Sequence, residues 1–440
     1  MAEIIPFRSI HCNTELVPLE KMIAPPYDVL SDTDRKQLQE RNPYNIVRLI
    51  LSEERPDDTP GSDKYSRAAE FLEQALTSGS YIQDDVPSVY EYVQQFPHPL
   101  NQHQTVERTT LLTALTLEPY SKGVVLPHEE TLSKAKADRL NLMRATGANP
   151  EPIYGLYEDA ENYVVNLLRT SRGSSKPILD AEYTGPGALH PEKHTVYQHS
   201  DPEVISKIKA FFEPLRIWIA DGHHRYETAL NYQREQREVL GNDIPVKPFD
   251  SILIGLSAFE DTGIVVLPTH RLVNEIDTEL LLSLENRLSP YFDIAAIPAS
   301  EAANWIAQQS HGVKRFVVGL KDRTLALTLK GSSIPKDVEC GEHCEAWRAL
   351  DVSILQVLVL DMGLGIRWND LASTSSIAYT RDASEALAKA ASGECQVACL
   401  LQDPSVTDLL DVAVAGDKMP QKSTFFYPKL YSGLVIRSLK

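Results

Sequence analysis

Residues 215–230 read L-R-I-W-I-A-D-G-H-H-R-Y-E-T-A-L, and the rest of the chain is best read outward from them. Ile217, Trp218, Ile219 and Ala220 form a short apolar run that suits a buried strand. From Tyr226 onward, Tyr226, Ala229, Leu230 and Gln233 recur at helical spacing, so the strand is expected to turn directly into a helix. The turn between them is Asp221-Gly222-His223-His224-Arg225. Asp221 is placed at the N-cap, where its carboxylate accepts from the amides of His223 and His224. Gly222 permits tight backbone geometry and the close approach of a ligand. A helix start supplies amides without intrahelical partners and a partial positive charge, and both attract an anion. Two imidazoles and a guanidinium stand at the same point. A phosphate or carboxylate site is one reading, and a plain cap with polar surface histidines is the other. A two-histidine metal site fits less well. Adjacent helical residues point about 100° apart, and the H-E-x-x-H spacing is absent.

The 440 residues give room for two or three domains, each with its own core. A formal charge of −18 argues against broad nucleic-acid binding, because phosphate backbones demand clustered Lys and Arg. A local basic pocket inside an acidic protein stays open. The first residues, M-A-E-I-I-P-F-R-S-I, lack the basic head and apolar core of a signal peptide. No apolar run has the length of a membrane span, so the cytoplasm is the expected location, with no membrane partner. The five cysteines, Cys12, Cys340, Cys344, Cys395 and Cys399, are an odd number without a disulfide framework. Cys340, His343 and Cys344 offer three ligands on one loop with no recognisable partner pair, so no zinc is expected.

Along the chain, Pro25 and Pro26 fix an extended loop that carries Tyr27 and Asp28. A helix follows to Asn42-Pro43, then a strand at 45–51, a helix at 65–76 and strands at 89–93 and 109–117. The segment L-P-H-E-E-T places His128 and Glu129 in a loop before a helix carrying Lys134, Lys136, Asp138 and Arg139. Either a functional cluster or a solvated charged helix explains that run. A strand is expected at 152–157 and a long Ser-, Gly- and Pro-rich loop at 171–200. Beyond the central turn, strands at 251–259 and 263–273 lead to Thr269, His270 and Arg271. Helices and strands then alternate to residue 335, as in an α+β unit. After a polar connector come helices at 350–364, 384–392 and 405–414 and strands at 375–379 and 396–401. The loop G-D-K-M-P-Q-K-S-T-F-F-Y-P-K at 416–429 contains Lys422-Ser423-Thr424, like the end of a Walker A loop. Gln421 stands where that loop needs glycine, so a P-loop is not expected, but the composition suits a phosphate-facing loop. The expected division is 1–245, 246–335 and 336–440, the last returning its Lys-rich loop to the site.

Several stretches together resemble the domain-of-unknown-function family 1015. They are A-P-P-Y-D-V at 24–29, L-P-H-E-E-T with K-A-D-R-L at 126–140, and A-T-G-A-N-P at 145–150. I-A-D-G-H-H-R-Y-E-T-A-L at 219–230, V-L-P-T-H-R-L-V at 266–273 and M-P-Q-K-S-T-F-F-Y-P-K-L at 419–430 complete the set. Glu130 departs from the pattern, where arginine is expected. The D-G-H-H-R turn is similar to the phosphate-binding turn of the ParB and sulfiredoxin-like superfamily, and free serine kinases carry a closely similar one. The resemblance implies a mixed α+β fold: a ParB/sulfiredoxin-like anion-binding core elaborated with further α+β units.

It also implies a nucleotide-dependent phosphotransferase acting on a small hydroxyl compound, with free L-serine or O-phosphoserine first. The alternatives are a phosphoserine-type phosphatase or metal-dependent hydrolase, and a ParB-like nucleotide-binding regulator. Asp221, His223, His224 and Glu129 are the expected catalytic residues, with Glu129 as base and Asp28 second. Gly222, Arg225, His128, Lys136, Arg139, Lys422, Ser423 and Thr424 are expected around phosphate or nucleotide. Tyr27, Asp28, His270 and Arg271 are assigned to substrate. Mg²⁺ with ATP or ADP is the expected cofactor set, with Asp221 as a candidate Mg²⁺ ligand, since Mg²⁺ prefers oxygen.

Overall fold

The computed structural model describes residues 1–99, 101–129, 133–241, 244–308, 312–367, 376–420 and 422–440. The sequence features at Glu130, Thr131, Gln309, Ser375 and Gln421 lie outside them. The fold is mixed α+β, with several sheets and helices in two compact units. The first unit comprises Met1–Pro127, Thr131–Val265 and Pro428–Lys440; the second comprises His128–Glu130 and Val266–Tyr427.

The first unit is built on a nine-stranded sheet. In chain order its strands are β1 (Ile4–Ile5), β2 (Val89–His98), β3 (Asn101–Thr116), β4 (Val125–Leu126), β5 (Ile153–Tyr157), β6 (Leu179–Tyr183), β7 (Glu192–His199), β8 (Ile217–Asp221) and β9 (Ser251–Ala258). They lie in the order β4-β8-β5-β9-β3-β2-β7-β6, with β1 on β3. Helices α1 (Lys64–Thr77), α2 (Ser133–Thr146), α3 (Tyr163–Arg172), α4 (Pro202–Phe212) and α5 (His223–Leu240) accompany it. The core joins Leu111, Leu115, Ile217, Ile219, Ile252, Ile254 and Leu256 from the strands to Leu168, Phe212, Tyr226 and Ala229 from the helices. Tyr226 stacks on Tyr120 and donates its hydroxyl to the Glu118 carbonyl at 2.7 Å, which fixes α5 where the spacing of the sequence puts it. A small sheet takes Ile436–Ser438 between Ser9–Cys12 and Ala148–Asn149, and this sews the last residues into the same unit.

Two expected elements are corrected. Residues 45–51 contain a helical turn, Val47–Ile50, rather than a strand. Asn45 accepts the Val47 amide with its own side chain and donates to the carbonyls of Lys21 and Ile23, closing the turn locally. A short apolar run buried all round does not distinguish strand from helix. Residues 171–200 are not one loop, since β6 and β7 pair antiparallel there. The buried positions Glu192, His194 and Val196 do alternate, but two of the three are polar, so hydrophobic periodicity does not register them.

The second unit holds a six-stranded sheet of β10 (His270–Val273), β11 (Phe292–Ile297), β12 (Arg315–Gly319), β13 (Thr324–Leu329), β14 (Ile377–Thr380) and β15 (Val397–Leu401). Its order is β11-β13-β12-β15-β10-β14, over a core of Leu272, Ala302, Ile306, Val317, Ala386, Ala390 and Leu400. Residues expected as two separate units, 246–335 and 336–440, therefore share one sheet. The first boundary falls after Val265 instead of near 245. β9, which lies beyond 245, is hydrogen-bonded inside the first sheet between β5 and β3. Among the described residues no helix is long and apolar enough to cross a membrane.

Candidate functional site

The central turn is shaped by two local irregularities. Strand β8 pairs parallel to β4 and antiparallel to β5, and the second pairing slips between Ile219 and Asp221. A bulge of this kind inserts an extra residue, here Ala220, and re-aims the side chain that follows. Gly222 then takes φ 90° and ψ 26° as the N-cap of α5. A Cβ there would stand 2.9 Å from the Ile153 side chain in a conformation that side chains other than glycine's disfavour. The cap is therefore Gly222 and not Asp221. Left in the strand, Asp221 directs its carboxylate sideways into a set of cations.

Asp221 Oδ2 accepts from the Arg225 guanidinium at 2.8 Å, and Oδ1 accepts from Lys429 Nζ. Arg225 also donates to the Pro152 carbonyl at 2.6 Å. Its guanidinium is turned inward on these partners instead of standing open at the helix start. His223 is buried and His224 half-buried, as expected of adjacent residues about 100° apart on a helix.

A second carboxylate, Glu151, lies beneath, only 4% exposed. It accepts the Tyr27 amide at 3.2 Å and the Ser432 hydroxyl at 3.1 Å, and lies 3.6 Å from Arg139. The Arg139 guanidinium covers the Tyr27 ring at 3.9 Å and donates to the Ile50 carbonyl and to Asp138. Arg139, Glu151 and Arg225 line a cavity of about 30 Å³, with Leu142, Met143 and Thr228 among the other walls. That is room for a water or two.

Charge and burial compete at each group. Burial alone would raise the Asp221 carboxyl, but Lys429 and Arg225 overcome it and hold it well below the usual carboxylate range. Glu151 goes the other way. Its burial outweighs the pull of Arg225, Arg139 and the Tyr27 amide, and its carboxyl is raised. Asp138 is half-buried, and Arg139 and Lys64 overcome that burial and bring it down to about 2. Burial, with Asp28 nearby, pushes Tyr27 up to about 12, so it stays a neutral phenol. Two carboxyls with opposite shifts, beside three cations and a helix N-terminus, form an arrangement suited to gripping an anion while another group carries a proton.

The expected site residues separate into two groups. Asp221, Gly222, Arg225, Arg139, Tyr27 and the exposed Asp28 belong to the first unit, as does Lys136, which pairs with Glu227 on α5 at 2.9 Å. His128, Glu129, Thr424, Ser423, Lys422, His270 and Arg271 belong to the second unit. There His128 is fully buried, 3.2 Å from the Thr424 hydroxyl, and that hydroxyl donates to Glu129 at 3.5 Å. Arg271 is buried and donates to the carbonyls of Thr269 and Lys422. The Ser423 hydroxyl turns onto the Pro420 carbonyl. His270 accepts the Leu401 amide at 3.3 Å inside the sheet, and burial with Arg271 lowers it to about 4, so it is neutral.

Sequence reasoning missed Glu151, and it expected the 416–429 loop at the site without singling out Lys429. Glu151 directly follows the A-T-G-A-N-P stretch, and Lys429 stands one residue before the end of M-P-Q-K-S-T-F-F-Y-P-K-L.

Asp221 does not fit a Mg²⁺ ligand, since each of its oxygens already faces a cation, and the assignment of Mg²⁺ to it is withdrawn. Among the described residues no three His, Cys, Asp or Glu side chains gather as metal ligands would.

Fold and site together define a mixed α+β protein with a buried ion-pair network at a strand-to-helix turn. The chain belongs to the family of proteins of unknown function DUF1015, matched over residues 4–353. No curated protein matches the sequence. Solved structures similar to it include a conserved hypothetical protein from Pyrococcus furiosus, 12% identical, with TM-score 0.35 and covering 72% of this chain and 92% of that one. A free serine kinase in complex with AMP is 12% identical, with TM-score 0.36 and coverage of 72% and 89%. SbnI with a C-terminal truncation, from Staphylococcus aureus, is 10% identical, with TM-score 0.35 and coverage of 74% and 86%.

Proposed function

We propose that the protein is a nucleotide-dependent phosphotransferase acting on a small hydroxyl metabolite, with free L-serine and O-phosphoserine as the first pair to test. The observation that carries the reading is the Asp221 carboxylate fixed between Lys429 and Arg225 at the start of an eighteen-residue helix. Phosphoryl transfer asks for charge neutralisation and positioning more than for covalent chemistry. In this reading the α5 amides and Lys429 hold the phosphoryl oxygens, and Asp221, itself fixed by Arg225, keeps the ammonium in place. The choice of serine and of ATP or ADP rests on the resemblance of the D-G-H-H-R turn to that of free serine kinases. In the transfer the substrate oxygen bonds to phosphorus, the bond from phosphorus to the nucleotide oxygen breaks, and the hydroxyl proton passes to a carboxylate. Asp28, on the same unit as the turn, is the candidate acceptor, tested by Asp28→Asn, and Glu129→Gln tests the sequence expectation of Glu129 as base. Mg²⁺ belongs in this reading with the nucleotide phosphates, and no residue is assigned to it.

The test is conversion of serine to phosphoserine, and the reverse, by the full chain with ATP or ADP and Mg²⁺, followed by mass spectrometry. Asp221→Asn is expected to lower kcat by about 100-fold or more, as when preorganised charge is lost from a transition state, and His224→Ala to lower it through loss of an imidazole at the helix start. No turnover with either nucleotide across a panel of small hydroxy acids would end the proposal. Phosphate released from phosphoserine without nucleotide would favour a phosphatase instead.

A further inference from the structure

Lys429 reaches Asp221 from a stretch of backbone that two fully buried side chains hold from below. Arg108 on β3 and Gln94 on β2 stand directly opposite in the sheet register. Both are 0% exposed, and Arg108 donates to the Gln94 side-chain oxygen. Arg108 also donates to the Pro428 carbonyl at 2.6 Å, and Gln94 donates to the Lys429 carbonyl at 3.1 Å. The two carbonyls bracketing the Lys429 amide are thus gripped by one pair of side chains.

The two hydrogen bonds of Arg108 leave part of its guanidinium unsatisfied. Its Nε and Nη1 make no hydrogen bond of good geometry, and its charge is felt by the Tyr154 hydroxyl and the Asp261 carboxyl. The Tyr154 ring lies 5.0 Å from it, on the strand that pairs with Asp221. A guanidinium taken out of water with part of its donors unsatisfied costs stability, and an apolar residue of similar shape would avoid that cost. What Arg108 does secure is the backbone from which Lys429 extends, while the flexible lysine side chain, with about 2 kcal/mol of rotamer entropy, is held at its tip by Asp221.

We propose that Lys429 is a contact residue for the substrate's phosphoryl group, and that Arg108 and Gln94 are its positioning residues, clamping the carbonyls of Pro428 and Lys429. The anion contact rests on the phosphotransferase reading; the clamp does not. The experiment uses the full chain as wild type, Gln94→Leu, Arg108→Gln, Lys429→Met and Lys429→Arg, with two readouts. The first is the acetylation rate of Lys429 by an amine-directed reagent, resolved by peptide mapping. The second is the Kd for ATP and for inorganic phosphate by calorimetry.

Gln94→Leu is expected to raise Lys429 acetylation and weaken ATP binding, each by about tenfold, the factor a lost charge-assisted contact commands. Lys429→Met is expected to weaken ATP binding at least as much, with Lys429→Arg restoring most of it. Gln94→Leu covers the case in which Arg108→Gln does not fold. Wild-type acetylation of Lys429 in a Gln94→Leu protein that melts like wild type would overturn the clamp. Unchanged ATP affinity in Lys429→Met would overturn the contact. If the wild type binds neither ATP nor phosphate, the functional reading fails and the contact with it, while the acetylation rates still decide the clamp.

Discussion

Asp221→Asn tests the centre of the molecule most directly. The substitution keeps the shape of the side chain and removes the one negative charge shared by Arg225 and Lys429. The three side chains are 17%, 11% and 10% exposed, so little water is at hand to replace it. Removing one partner of a fully buried pair costs about 3–5 kcal/mol, and with some solvent present we expect roughly 2–3 kcal/mol here. For a folding unit of this size that lowers Tm by roughly 4–10 °C. Lys429→Met leaves Asp221 with Arg225 alone and is expected to cost about 1–2 kcal/mol. The double variant should lose less than the sum of the singles, by about 1–2 kcal/mol, because the two residues are in contact. Equilibrium urea denaturation, with peptide-resolved hydrogen exchange over residues 215–230, reads this cycle in the unit concerned. The pH dependence adds a second check. The folded Asp221 carboxyl is depressed, so its contribution is complete above the unfolded value near 4 and disappears as pH falls through the folded value. The gap between wild type and Asp221→Asn should therefore close in acid. Single variants that add to within about 0.5 kcal/mol, or a gap that widens in acid, would refute the reasoning.

Gly222→Ala should destabilise the first unit by about 2–4 kcal/mol, from the left-handed backbone and the clash with Ile153 together, as calorimetry would show. A melting point within a degree of wild type would mean that the turn relaxes freely. Glu151→Gln should reverse the usual pH trend for a carboxylate. The folded Glu151 carboxyl is raised, so the wild type should lose stability relative to the variant as pH rises above about 4.3, the unfolded value. Parallel stability curves for the two proteins between pH 4 and 8 would contradict that.

The β8–α5 junction was legible in the sequence because its signal is local. Four apolar residues, a glycine, and then Tyr226 and Ala229 at helical spacing allow few other structures, and Ile217, Ile219, Tyr226 and Ala229 are all buried as that pattern requires. The mixed α+β class followed from the alternation of such patterns along the chain. What the sequence did not hold was which distant residue meets which. The bulge at Ala220 depends on pairing with β5, and only that pairing turns Asp221 from a cap into an ion-pair hub. Glu151 and Lys429 stand 70 and 208 positions from Asp221, and a carboxylate or ammonium in a polar loop carries no mark of its eventual partner. Likewise β7 buries Glu192 and His194, so its strand period is hidden in polar residues that hydrophobic patterning cannot read. Local spacing fixed where the chain turns; long-range packing alone decided the charges that gather at the turn, because the energy of an ion pair depends on distance and burial in space rather than on order along the chain.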